Sequence, residues 1–446
     1  MSGRGLLERR GAGWSSGYSG KPERATAPTA RVELQSCEFR FRAYDLSLTA
    51  NGGGRVLDFA AIGRSPIGRL TSITGIDPKT DTRWDYWAFV PTPLPDAPAL
   101  ALATLDLATK AAMEVARLDQ AVSQLPRPEI LVRPIVRREA KSTSALEGTF
   151  ASFDEVLESD FLEDRQLSSE QREIRNYVLA TDEAVRLLPT LPISRQLAGR
   201  LQKVIVKGTP DDSWDTGDIR QRQVAIGPKN RPIAEARFVP SPPGDQLTEG
   251  VSDWEKWLNA DNHVPIVAKM ALAHYQFETL HPFADGNGRL GRLIAILQLI
   301  QEGILRWPVL NLAPWLDENR DAYQDGLLRV TETGDYDPWV CFFAEAVRKQ
   351  AHDGVEKIAR LLRLRDDMVS ELRAGSVRGS ALHIAENLIG YPVIDVPTAR
   401  DMIGKTFEAA NQAVARLVDV GILREITGRP QNRLFVCQRA YLTIQE

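Results

Sequence analysis

The sequence predicts a mainly α fold, interrupted once by a short β segment and closed by a compact helical unit ending in a hairpin. Three observations predict it. Apolar residues recur at helical spacing through most of 99–350, strand-like alternation is confined to 217–227 and 236–240, and 381–446 reads helix, turn, helix, hairpin. At 446 residues the chain is long enough for two or three domains with substantial cores.

The elements follow in order. Residues 1–64 read as a disordered tail: the first 31 carry six basic and two acidic side chains among Gly, Ser and Ala, without the apolar stretch of a signal peptide. An early start-codon assignment would read the same way. In 82–98, Trp84, Tyr86, Trp87 and Phe89 precede Pro91, Pro93, Pro95 and Pro98, an extended segment wrapping onto the core. A helix over 99–125 ends at the breaker Leu125-Pro126-Arg127-Pro128. The stretch 134–148 starts at Pro134 and stops at Gly148, so Glu147 falls in the last helical turn, where the helix dipole disfavours a carboxylate and an arginine partner is expected. Arg292 is the candidate partner. Further helices are expected over 151–163, 168–188, 194–206, 248–259, 264–279, 315–330 and 339–350, with His274 on the fifth read as a core histidine. A charged amphipathic helix over 351–374 leads into the last unit, with helices at 381–388, 398–403 and 406–420 and a hairpin of 422–426 and 433–437 around Gly428-Arg429-Pro430. There Thr398 is the expected N-cap and Gly421 the expected stop.

Composition narrows the function. A net charge of -4 and a pI near 5.9 give no global drive toward nucleic acid or anionic membrane. Cys37, Cys341 and Cys437 are too few and too far apart for a disulfide framework or a metal cluster, which suits a reducing cytoplasm. No apolar run reaches the roughly eighteen residues needed to span a bilayer, so no membrane association is expected.

The chemistry is concentrated in 281–292, which reads His-Pro-Phe-Ala-Asp-Gly-Asn-Gly-Arg-Leu-Gly-Arg before an apolar helix. Glycines at a helix start let phosphate oxygens approach free N–H groups at the positive end of the dipole. His281 titrates near neutrality and suits a general base. Asp285 is a hard oxygen donor suited to Mg2+. Arg289 and Arg292, three apart, project from one helix face and suit phosphate oxygens, while Asn287 adds a neutral donor. Pro282 and Phe283 are structural. The run is not a Gly-x-x-x-x-Gly-Lys phosphate loop, and the chain holds no His-Glu-x-x-His zinc pair.

With every position filled, this run resembles the signature of the Fic family, His-Pro-Phe-x-Asp/Glu-Gly-Asn-Gly-Arg-x-x-Arg. The resemblance implies a helical catalytic core that transfers AMP from ATP to a hydroxyl of a target protein, a Ser, Thr or Tyr of another protein or of itself, releasing pyrophosphate. It implies His281 as the base, Asp285 as the Mg2+ ligand, and Gly286, Asn287, Gly288, Arg289, Leu290, Gly291 and Arg292 around the phosphates, with Arg292 on the γ-phosphate. Tyr323 falls where the family often places an aromatic near the adenine. The Thr143-x-x-x-Glu147-Gly148 pattern resembles the family's autoinhibitory motif, in which the Glu pairs with the second arginine and denies ATP its productive pose. A Glu so placed can instead position water, so a de-AMPylating enzyme stays open, as does a regulator whose Fic core senses nucleotide.

The 217–240 segment resembles the β-hairpin flap that holds a target segment by strand addition, the alternative being a hairpin that only covers the core. The last unit resembles a winged helix-turn-helix. Asn411, Gln412, Arg416, Arg429 and Arg433 would suit DNA, Glu408 and Asp419 oppose it, and a packing or partner-binding wing is the alternative. The expected division is therefore a tail (1–64), a helical region (65–210) carrying the inhibitory helix (134–148), a Fic core (211–350), and a linker helix with a winged-helix-like unit (351–446). A homodimer also stays open.

Overall fold

The computed structural model describes residues 58–76, 83–124, 127–227 and 232–445. The expectations for most of the tail and for the breaker at Leu125 and Pro126 lie outside these residues.

Helix α1 (Phe59–Ile62) is capped by the Asp58 carboxylate, and its Ile62 packs against Phe89 and Leu328. Residues 58–64, assigned above to the tail, are thus part of the folded chain. Strands β1 (Gly68–Ile76) and β2 (Arg83–Pro91) form an antiparallel pair, Gly68 opposite Pro91 and Ile76 opposite Arg83. Trp84, Tyr86, Trp87 and Phe89 of the expected extended segment therefore lie on one strand of a regular hairpin.

The hairpin expected at 217–240 does not form among the described residues. Only Ile226 and Phe238 bridge, each N–H donating to the other's carbonyl, at 2.8 and 3.1 Å. Pro232 and Pro240 have no N–H to give a ladder, and the carbonyls of Arg222 and Ser241 are taken by the Arg220 guanidinium. The segment leans instead on β2, where Phe89 N–H donates to Val239 O at 2.9 Å.

Helices α2 (Leu102–Ser123) and α3 (Glu129–Leu146) follow. Helix α3 begins before Pro134, not at it. A proline inside a helix leaves the carbonyl four residues back without its intrahelical donor, here Ile130 O, and Gly390 lies so close to that oxygen that a Cβ would stand 1.9 Å from it. Next come α4 (Phe153–Glu158), shorter than expected, α5 (Ser169–Leu187) and α6 (Arg195–Val206). Ser152 and Ser168 each close a capping box, with Glu155 and Gln171 as the third helical residue.

Helices α7 (Asp245–Asn259), α8 (Ile266–Leu280) and α9 (Asn287–Gln301) build the centre. Both α8 and α9 bury residues on all sides, the mark of a core helix. Helices α10 (Ala313–Glu318) and α11 (Arg320–Thr333) break at Asn319, where one continuous helix was expected. By contrast α12 (Asp337–Ala374) runs unbroken for 38 residues along α2, through the division placed at residue 350.

The last unit comprises α13 (Ser380–Asn387), β3 (Val393–Ile394), α14 (Val396–Ile403), α15 (Phe407–Asp419), β4 (Arg424–Glu425), β5 (Phe435–Val436) and an unexpected closing helix α16 (Gln438–Gln445). The strands pair in the order β3-β5-β4. The N-cap of α14 is Asp395, accepting from Thr398 N at 2.7 Å, rather than Thr398 itself. Gly421, at φ 75°, does end α15. This unit sits against α3 and α4: Arg127 Nη2 donates to Asn387 Oδ1 at 2.6 Å, Arg133 stacks over Tyr391, and Phe153 meets Tyr441. Among the described residues, no helix is long and apolar enough to cross a membrane.

Candidate active site

The site forms where α8 stops and α9 starts. His281 is the C-cap of α8 in the left-handed region, φ 49° and ψ 61°, a costly conformation for a side chain with a Cβ. Pro282 disfavours the right-handed helical region for His281 and so helps end the helix there. The turn is held from outside by Arg220. Its guanidinium donates to the carbonyls of His281 (2.8 Å), Arg222 (3.1 Å), Ser241 (2.5 Å) and Leu280 (3.4 Å), and its own N–H donates to Pro282 O at 3.0 Å. Burial lowers the Arg220 guanidinium to about 10. Nothing local in the sequence marks this arginine, because, Arg222 apart, its acceptors lie about twenty and sixty residues away.

His281 Nδ1 lies 3.3 Å from the backbone carbonyl of Glu278. A carbonyl only accepts, so Nδ1 carries the proton and Nε2 keeps the lone pair. Burial, assisted by the Arg220 charge, pushes the imidazole down to about 4, with Glu147 and Asp285 pulling the other way. The ring is neutral at physiological pH, as a base must be.

Helix α9 opens on Gly286 at φ 78°, its N-cap. Asn287, expected to offer its amide to a phosphate, is spent on the loop: Oδ1 accepts from Phe283 N at 2.9 Å and Nδ2 donates to Phe283 O at 2.8 Å. Leu290 is buried in the core, and Gly291 faces α8, where a Cβ would stand 2.5 Å from Glu278 Oε1; neither lines an open phosphate site. Tyr323 is likewise 5 % exposed, its hydroxyl 2.9 Å from Nε2 of the buried His274, so it packs beneath the site rather than beside an open base pocket. Helix α9 is buried all round, so Leu290 and Gly291 on its inner face meet helices and not solvent.

Asp285 Oδ1 accepts from Gly286 N at 2.5 Å and lies 3.4 Å from Arg289 Nη2. Its side chain is about one-third exposed, leaving the carboxylate within reach of a cation carried by a nucleotide. Among the described residues, no three His, Cys, Asp or Glu side chains are grouped to hold a metal. Arg289 is buried and paired with Glu173 of α5, Nη1 to Oε2 at 3.0 Å, and Thr149 Oγ1 donates to the same oxygen at 2.8 Å.

Arg292 is held by α3. Its Nε donates to Thr143 Oγ1 at 2.6 Å, and Nη2 donates to Thr143 O at 3.0 Å and to Glu147 Oε1 at 2.5 Å. Glu147 is the C-cap of α3, one step beyond the last helical turn. Burial alone would raise its carboxyl, but the Arg292 charge and hydrogen bond hold it below the usual carboxylate range. The side chain still keeps 39 % of its surface, so water and salt screen this pair in part. Gly288 permits the approach: a Cβ there would stand 2.1 Å from Glu147 Oε1.

In the last unit, three side chains considered for DNA, Asn411, Gln412 and Arg433, are already engaged. Asn411 Oδ1 accepts from Arg433 Nη2 at 3.1 Å, and Gln412 Nε2 donates to Glu408 Oε1 at 2.9 Å.

Comparison with known proteins places this geometry. Residues 105–186 match the model described as Fic/DOC family N-terminal, and residues 192–299 match that described as Fic/DOC family. The chain is 29 % identical over 206 residues to the Protein adenylyltransferase Fic of Culex quinquefasciatus, covering 44 % of this chain and 36 % of that protein. It is 32 % identical over 140 residues to the protein of the same name from Drosophila yakuba, covering 31 % of this chain and 25 % of that one. The chain thus spans about a third or less of these curated relatives. Its fold is similar to that of a Fic family protein from Desulfovibrio desulfuricans G20, with a TM-score of 0.51 and 19 % identity over 76 % of this chain and 98 % of the other.

Proposed function

Through residues 105–186 and 192–299 this chain belongs to the Fic/DOC family, and from that membership we propose an autoinhibited protein adenylyltransferase that moves AMP from ATP to a hydroxyl of a target protein. The observation that carries the reading is the junction of α8 and α9, a neutral imidazole beside a glycine-opened helix start with two buried arginines. Positioning and charge stabilisation are what phosphoryl-type transfer requires of a protein.

In this reading His281 Nε2 accepts the proton of the target hydroxyl. Its ring is oriented by the Glu278 carbonyl, and its backbone is fixed by Arg220. The first N–H groups of α9 and the side chains of Arg289 and Arg292 would face the nucleotide phosphates, and Asp285 would hold Mg2+. That cation would neutralise phosphate charge. Asn287 keeps the turn closed instead of touching phosphate. Glu147 holds the protein at rest by occupying the Arg292 guanidinium that a γ-phosphate would claim.

The test is incubation with labelled ATP and Mg2+. Glu147→Gly is expected to raise label transfer to itself or to lysate proteins well above wild type, and Glu147→Gly/His281→Ala to abolish it. If the Glu147→Gly protein transfers no nucleotide label to any protein, the reading fails.

A further inference from the structure

One buried acid in the site has no role in the account above. Glu278 lies on α8, one turn before His281, with its side chain 11 % exposed. Its Oε2 is 3.8 Å from His281 Nδ1 and its Oε1 is 4.0 Å from His274 Nε2. Oε1 has no hydrogen-bond partner among the described residues. A carboxyl buried with a spare oxygen is costly, and α9 makes room for this one by having Gly291, not a larger residue, against it.

We infer that Glu278 is a positioning residue for His281, a carboxyl group held 3.8 Å from Nδ1 that, once ionised, offsets the charge on the imidazole when Nε2 takes a proton. The inference rests on the transfer reaction proposed above. There the target O–H gives its proton to Nε2 and its oxygen forms the new bond to the α-phosphorus. The bond from that phosphorus to the bridging oxygen breaks, and pyrophosphate leaves with the electron pair. The imidazole is left positive in a dry site beside the Arg220 guanidinium, and a carboxylate at Nδ1 is what offsets that charge.

The resting arrangement works against this. Burial, and then the Glu147 carboxylate, push Glu278 up to about 8, although the Arg292 charge opposes them. Glu278 therefore holds a proton at neutral pH while Glu147 is seated. Around it stand Glu147 from α3, Arg292 from α9, Tyr323 from α11 and His274 on its own helix; around His281 stand Arg220, Glu147 and Asp285. Removing Glu147 takes away a negative neighbour and leaves the guanidinium, so Glu278 ionises more readily. Glu147 on this account withholds both the phosphate-binding arginine and the partner of the base.

The experiment compares full-length Glu147→Gly with Glu147→Gly/Glu278→Gln and Glu147→Gly/Glu278→Asp. With labelled ATP, kcat is followed from about pH 6 to about pH 9, and the Glu147→Gly protein is expected to gain rate as Glu278 ionises below about pH 8, a limb that the Gln variant lacks. Near neutral pH the Gln variant should lose about ten-fold in kcat with KM for ATP little changed, and Asp should recover part of both effects. A Gln variant that keeps the same limb overturns the inference, even if its rate falls. An unchanged rate in the Gln variant overturns it too. If Glu147→Gly transfers nothing, the proposed function has failed, whereas NMR titration of the Glu278 carboxyl, expected to fall lower in Glu147→Gly than in wild type, still tests the coupling on which the inference stands.

Discussion

Glu147 Oε1 lies 2.5 Å from Arg292 Nη2 across 145 positions of sequence. The glycine that admits this contact, Gly288, belongs to the same helix start that is expected to receive phosphate. On the proposed function, one guanidinium serves two anions in turn, the Glu147 carboxylate at rest and the γ-phosphate in the active state.

Thr143 shares the restraint, because its hydroxyl accepts from Arg292 Nε at 2.6 Å. Thr143→Val keeps the shape and the backbone carbonyl contact but leaves a buried donor unsatisfied. It should destabilise the protein by about 1–3 kcal/mol in urea melts. It should also raise basal label transfer above wild type, short of Glu147→Gly. Transfer no higher than wild type would mean that Glu147 alone sets the resting state.

Gly288→Ala separates crowding from helix propensity. In wild type the new methyl would meet Glu147 Oε1 at 2.1 Å and should cost about 1–3 kcal/mol of stability. In Glu147→Gly the main obstacle is gone, and alanine should be nearly neutral. A double-mutant cycle by chemical denaturation measures the difference. Equal costs in both backgrounds would place the strain elsewhere.

Glu139 on α3 gives a pH signature with a definite sign. It is buried, both oxygens accept from Ala313 N at 3.1 and 3.0 Å, and burial pushes its carboxyl up to about 7 against the pull of that bond and of Arg292. A raised folded-state value means that the native chain keeps a proton which the unfolded chain releases. Stability from this group is full below about pH 4.5 and is lost as pH rises to about 7, on the order of 3 kcal/mol in all. Glu139→Gln cannot titrate, so the stability gap between wild type and variant should move in the variant's favour over that interval. Parallel stability curves from urea melts at pH 5, 6 and 7 would refute it.

The run at 281–292 and its chemistry were legible in the sequence because they are local. A helix stop, a glycine-rich turn and an apolar helix start need only neighbouring residues to form, and the residue types follow from the charge they must meet. The Glu147–Arg292 pair was legible through a family resemblance that joined two distant motifs. The rest depended on which faces pack. Asn287 looked like a phosphate donor but closes the Phe283 turn, and Tyr323 looked like an adenine neighbour but lies under His274. Arg220 and Glu278 carried no signal, since the clamp on the His281 turn and the spare oxygen beside its ring exist only once Arg220 and Ser241 meet the end of α8 and Gly291 lets α8 and α9 close. Local backbone preference set the parts and their chemistry, whereas long-range packing decided which polar groups are spent on structure and which are left for a substrate.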